Sequence, residues 1–170
     1  LGVAEMLGRD IERLSALQSR LTLCPLGAGA LAGTTFPIDR AQTASLLGFE
    51  GPVPHTLDAV ASRDYALELL GSLSIMATGI SRIAQDYYVW VTPEFDLVEF
   101  PDSVTGTSSI MPQKKNPVVL EYLKGKAGQI TGALVAALGA VKGVNFTHTG
   151  DGNRESMRNV WDAADESLHI

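Results

Sequence analysis

Apolar positions recur at three- and four-residue steps along most of this chain. In residues 1–20, Val3, Met6, Leu7, Ile11, Leu14 and Leu17 alternate with charged positions at helical spacing, which predicts a helix. Residues 22–37 hold scattered Gly and Pro and read as an ordered loop, followed by a short helix over 38–47 that stops at Gly48. Gly51, Pro52 and Pro54 make the next break. From 56 to 92 there is no proline, and Ala66, Leu69, Leu70, Leu73, Met76, Ala77, Ile80, Ile83, Ala84 and Tyr87 mark one stripe. This predicts a single helix capped by Thr56 and ended by Pro93. At about 1.5 Å per residue it would run to roughly 55 Å, a length that suits a long bundle better than a compact globule. Gly71 and Gly79 either weaken it or let a neighbour approach closely. Residues 94–116 read as loop. Pro117 is placed to open a helix to Lys142, apolar on most faces and therefore central. A loop over 143–152 and a last helix over 154–168 complete the chain. Strand signals are nearly absent. The predicted fold class is all-α, with long near-antiparallel helices.

Composition narrows the classes of function. At 170 residues the chain is the size of one domain, and 45% hydrophobic against 19% charged residues is the balance of a chain with a packed core. A net charge of −6 argues against a general nucleic-acid binder or a binder of anionic membranes. It leaves room for a small anionic substrate, since one local lysine outweighs a distant surplus. Cys24 is the only cysteine, so neither an internal disulfide nor a cysteine-based zinc site is expected, and a reduced, cytoplasmic setting fits. Residues 1–10 lack the charged-then-apolar layout of a signal peptide, and the apolar run 127–141 is short for a bilayer span. His55, His148 and His169 share no metal-ligand spacing, so no metal is expected. Gly27-x-Gly29-x-x-Ala32 formally fits a dinucleotide fingerprint, but Pro25 precedes it and no βαβ unit surrounds it. No cofactor is therefore expected, and the stripe through Met76 and Ile80 reads as core.

The informative stretch is Thr105-Gly-Thr-Ser-Ser-Ile-Met-Pro-Gln-Lys-Lys-Asn-Pro117. It opens on small residues, ends on rigid ones, and sets Lys114, Lys115 and Asn116 directly before a helix amino terminus. Free N–H groups and the helix dipole favour an anion there; Lys114 adds a full charge, and Asn116 can cap and donate. This is a carboxylate site beside hydroxyls able to move protons. By residue types alone, a polar surface loop with an Asn-Pro helix start explains it equally.

The run Ser108-Ser-Ile-Met-Pro-Gln-Lys-Lys-Asn-Pro117 resembles the signature loop of the fumarase/aspartase superfamily, in wording most like that of argininosuccinate lyases. Residues 25–40 resemble that family's loop and short helix, and 57–65 the start of its long central helix. The resemblance implies that residues 1–170 are part of the central helical domain of a homotetramer whose active sites are assembled from three subunits. The amino- and carboxy-terminal domains, and a catalytic Thr-His pair, would lie outside them. It also implies cleavage of a C–N or C–O bond with release of fumarate, from a small succinyl-amine such as argininosuccinate. Carried over by position, Ser108 is the base that removes the Cβ proton, and Lys114 and Asn116 hold the carboxylate on which charge grows. Ser109, Met111 and Gln113 line the substrate, and Glu121 orients a catalytic histidine. A surface position is the plain alternative for Glu121. Arg40 either faces the site or makes a structural ion pair with Asp39 or another acid, and Lys115 reads as solvated.

Two departures stand out. Where argininosuccinate lyases carry Tyr, Gln and Lys for the arginine part of the substrate, ungapped alignment puts His148, Asn153 and Ser156, which implies a rewritten leaving-group end. Thr107 stands where the loop pattern has Gly. Two classes of function stay open: a lyase of this kind, for arginine or another amine, and a non-catalytic helical scaffold of the same fold.

Overall fold

The computed structural model describes residues 1–146, 152–167 and 169, with 152–156 described by backbone alone. Six helices carry the fold: α1 (Gly2–Gln18), α2 (Arg40–Leu46), α3 (Thr56–Ala61), α4 (Asp64–Trp90), α5 (Val118–Lys142) and α6 (Gly152–Ser167). A 3₁₀ turn spans Asp102–Val104. Helices α4, α5 and α6 pack on one another, and α1 packs on α4.

The bundle core follows from spacing. On α4 the buried apolar positions are Ala66, Leu70, Leu73, Ala77 and Ala84; on α5 they are Leu120, Ala127, Ile130 and Ala137. Both series step by threes, fours and sevens, which keeps one face of a straight helix turned to its neighbour. Val160 and Ala163 of α6 close the same cluster. Most of these side chains are alanines, which lets the helix axes approach, while Leu70 and Ile130, both fully buried, supply bulk. Each such aliphatic side chain contributes roughly 1.5–3 kcal/mol by leaving water. By length and hydropathy alone α4 could cross a bilayer; here its apolar face belongs to the bundle. Ser74, the buried hydroxyl on that face, donates to Leu70 O at 2.7 Å, so it carries no unmet polar group.

The single helix expected over 56–92 is two. It breaks at Ser62, which is extended (φ −62°, ψ 135°), and restarts after Arg63. The break is held by polar groups: the Arg63 guanidinium donates to the carbonyls of Val60 and Ser62, and Ser62 Oγ donates to Asp64. His55 rather than Thr56 caps α3, its Nδ1 accepting from Leu57 N at 3.2 Å.

Residues 21–55 form a small unit beside the bundle. Two-residue parallel strands, β1 (Leu23–Cys24) and β2 (Gly51–Pro52), pair there, with Cys24 fully buried. Helix α2 packs on both strands and is capped by Asp39, whose carboxylate accepts from Ala41 N and Gln42 N.

Several large apolar side chains stay outside the core. Val3 and Ile11 of α1, Ile75 of α4, Val119, Val135 and Leu138 of α5, and Trp161 of α6 are all about half exposed or more. Scattered single residues of this kind are ordinary, but several together on α1 and α5 are the composition of faces that other helices cover.

Candidate active site

The signature loop is pinched into a ring. Gly106 and Asn116 exchange both backbone hydrogen bonds, each at 2.8 Å, as an isolated antiparallel bridge. Residues 107–115 therefore hang from a two-bond neck. The neck needs glycine: a Cβ on Gly106 would lie 2.5 Å from Val118 Cγ1. Gly106→Ala is expected to spread the neck and speed amide exchange at Gly106 and Asn116 about tenfold, with Val118→Ala recovering most of the protection by removing the clashing methyl. Hydrogen–deuterium exchange on the single and double variants checks this.

Within the ring, Ser108 Oγ accepts from the backbone N–H groups of Ile110 and Met111, each at 3.3 Å. Two amide donors aimed at one hydroxyl oxygen favour that oxygen carrying negative charge. A turn from Lys114 N to Met111 O at 2.9 Å shapes the following limb. Ser109, Met111, Gln113 and Lys114 are exposed, and Ser108 and Asn116 are partly buried.

The two lysines part company. Lys115, expected to be solvated, is engaged: its Nζ lies 2.7 Å from Asp102 and 3.3 Å from Glu99. Its ammonium is held above the usual lysine range, chiefly by the hydrogen bond it donates to Asp102 and then by the one it donates to Glu99. Lys114 makes no side-chain hydrogen bond or ion pair among the described residues. One charge thus straps the loop to the segment before it, and the other is free to meet an anion.

The start of α5 differs from expectation. Asn116 does not cap it; Pro117 occupies the cap position without a side-chain bond. Val118 N bonds to Asn116 O, and Leu120 N and Glu121 N bond to Pro117 O. Among the described residues, that leaves Val119 N–H as the unpartnered amide of the first turn, so the helix terminus offers an anion less than the sequence suggested.

Glu121, one turn into α5, is exposed, and Tyr88 OH of α4 lies 3.5 Å from its Oε1. Arg40 makes no ion pair with Asp39 or another acid among the described residues. Its Nε donates to Leu26 O at 3.2 Å and its terminal nitrogen to Val53 O at 3.0 Å, clasping the loop around Gly27 to the end of β2. Gly27 has φ +79°, and a Cβ there would meet Arg40 Cγ at 2.9 Å, so the two residues fit only as a pair. His148 lies outside the described residues, and Asn153 is placed on α6 by its backbone.

Comparison with known proteins decides the family. A family model described as a lyase matches residues 1–132. The chain belongs to the fumarase/aspartase superfamily of lyases. It is 49% identical over 159 residues to argininosuccinate lyase 1 of Shouchella clausii and 46% identical over 161 residues to the argininosuccinate lyase of Lachnoclostridium phytofermentans. These alignments take in 94% and 95% of this chain but 32% and 35% of the relatives, so the chain spans about a third of their length. Among solved structures, EDDS lyase in complex with formate matches 99% of the chain and 35% of its own length, with TM-score 0.84 at 34% identity. The class II fumarase of Schistosoma mansoni matches 98% of the chain and 40% of its own length, with TM-score 0.81 at 18% identity, a likeness of fold.

Three features of this superfamily member escaped the reading of its sequence. The neck could have been suspected from Gly106 and Asn116 flanking the loop, since a glycine before a compact ring marks close backbone approach. The Lys115 strap and the Tyr88–Glu121 contact join residues on separate elements, and no local spacing announces either.

Proposed function

We propose that this chain carries the fumarate-side part of an argininosuccinate lyase-like active site in a longer protein. The observation that carries the reading is Ser108 Oγ receiving two backbone N–H groups inside a ring that also presents the uncommitted Lys114. In the proposed β-elimination, Ser108, deprotonated, takes the proton from the substrate Cβ. The electron pair left behind spreads into the adjacent carboxylate, where Lys114 and the Asn116 amide stabilise the growing charge. It then forms the carbon–carbon double bond as the C–N bond breaks. The amine departs with the bonding pair and takes up a proton, leaving fumarate. Ser109, Met111 and Gln113 shape the loop side of the substrate, and Glu121 orients a histidine supplied from outside this segment. The resemblance assigns positions 148 and 153 to the leaving-amine end of the site, and Arg40 keeps the neighbouring loop in place.

Similarity to EDDS lyase, one variant of which has been solved with bound fumarate, favours a second reading of the amine: a succinyl-amine other than argininosuccinate. Full-length protein mixed with argininosuccinate is expected to release fumarate, followed by ultraviolet absorbance. Release only from other succinyl-amines would select the second reading, and release from none would favour a scaffold.

The same reading places the protein in the cytoplasm as a homotetramer. The motive for the tetramer is the exposed apolar side chains of α1 and α5. Light scattering on the full-length protein is expected to give four copies; a well-folded monomer would overturn it.

A further inference from the structure

Helices α4 and α5 bring four polar side chains together at one end of the bundle. Gln85 and Tyr88 stand three residues apart on α4, as Glu121 and Lys124 do on α5, so each pair shares a helix face. Lys124 Nζ donates to Gln85 Oε1 and sits over the Tyr88 ring, 4.8 Å from its centroid. The ring is thereby fixed by a cation on its face. Its O–H in turn lies 3.5 Å from Glu121 Oε1.

We propose that Tyr88 is a positioning residue that holds the Glu121 carboxylate in the orientation it needs toward the catalytic histidine. The proposal rests on the reading of Glu121 given above. A glutamate on a helix surface has three free torsions, and an imidazole partner is oriented only as well as the carboxylate that holds it. A phenol has two torsions, and this one is clamped by Lys124, so it is a stiff donor at the end of a short lever. The remaining carboxylate capacity stays open. Glu121 lines an open groove of about 540 Å³ shared with Val118, Tyr122 and Gly125, and it is exposed there. The other charged groups of the groove, Lys126 and Glu166, are paired with each other. The 3.5 Å separation is long for a hydrogen bond to a carboxylate, as is common at active sites without substrate.

The test uses full-length protein with Tyr88→Phe, which keeps the ring and its packing and removes only the O–H. The expected result is a kcat about fivefold lower with KM and melting temperature unchanged, because a hydrogen bond to a charged group acting through Glu121 alters the chemical step and not substrate binding. A structural role would move the melting temperature instead. In a Glu121→Gln background, itself expected to be strongly impaired, Tyr88→Phe should cost nothing further. An unchanged kcat in Tyr88→Phe, or the same fractional loss in both backgrounds, overturns the positioning role of Tyr88 while leaving the histidine-orienting role of Glu121 intact. A fully active Glu121→Gln protein instead overturns the reading of Glu121 and the proposal with it.

Discussion

Ser108→Ala in the full-length protein is expected to lower kcat about a thousandfold while leaving KM nearly unchanged. A base acts on the barrier; it contributes little to holding the ground state. The geometry sharpens the expectation. The Ile110 and Met111 amides that reach Ser108 Oγ donate hydrogen bonds but have no basic lone pair to take a proton, so they can stabilise a serine oxyanion but cannot replace it as a base. Removing the hydroxyl leaves them facing water or the substrate carboxylate. Steady-state kinetics with fumarate release as the signal measures the effect. A variant that keeps more than about a tenth of the parent kcat, a loss below about 1.4 kcal/mol of barrier, would mean that another group takes the proton.

The second large effect is a contrast between neighbours. Lys114→Met is expected to lower kcat and raise KM together, because it removes a charge from the oxygen on which charge grows and leaves that oxygen unpaired. Lys115→Met should cost only a few-fold. Its partners Glu99 and Asp102 are 82% and 84% exposed at the side chain, so the strap is a surface ion pair screened by water. It steadies the loop without meeting substrate. Measured side by side in full-length protein, the two should differ about a hundredfold in kcat/KM. Equal losses would show that the loop works as a diffuse positive patch and that the residue-level assignment is wrong.

The sequence foreshadowed the bundle because α4 and α5 owe their form to a long apolar stripe, and such stripes are written locally. It did not foreshadow the break at Ser62 and Arg63. Neither glycine nor proline marks those residues, and what bends the chain is a guanidinium folding back onto the carbonyls of Val60 and Ser62. The β1–β2 pair was equally hidden: two residues on each side carry no alternation to read, and their partners are far apart in the chain. At the site, residue types and order identified the loop, since Pro-Gln-Lys-Lys-Asn-Pro is a dense and unusual run. Spacing could not say that Asn116 would spend its backbone on Gly106 rather than its side chain on α5. It could not say that Arg40 would turn to two carbonyls, or which of two adjacent lysines would find an acid. Those outcomes depend on what lies opposite in space.

Because residues 107–115 close on themselves at Gly106 and Asn116, their ordering is nearly a separate equilibrium from the folding of the bundle. Opening the ring breaks two backbone hydrogen bonds and exposes little apolar surface, so it belongs to the low-energy local openings of a protein rather than to its global unfolding. The closure entropy also grows slowly with ring size, by about 0.6 kcal/mol for each doubling of length. A few residues added at the tip would therefore leave the helices undisturbed and shift only the fraction of time the ring is shut. Amide exchange within the ring is therefore expected to be faster than in the flanking helices.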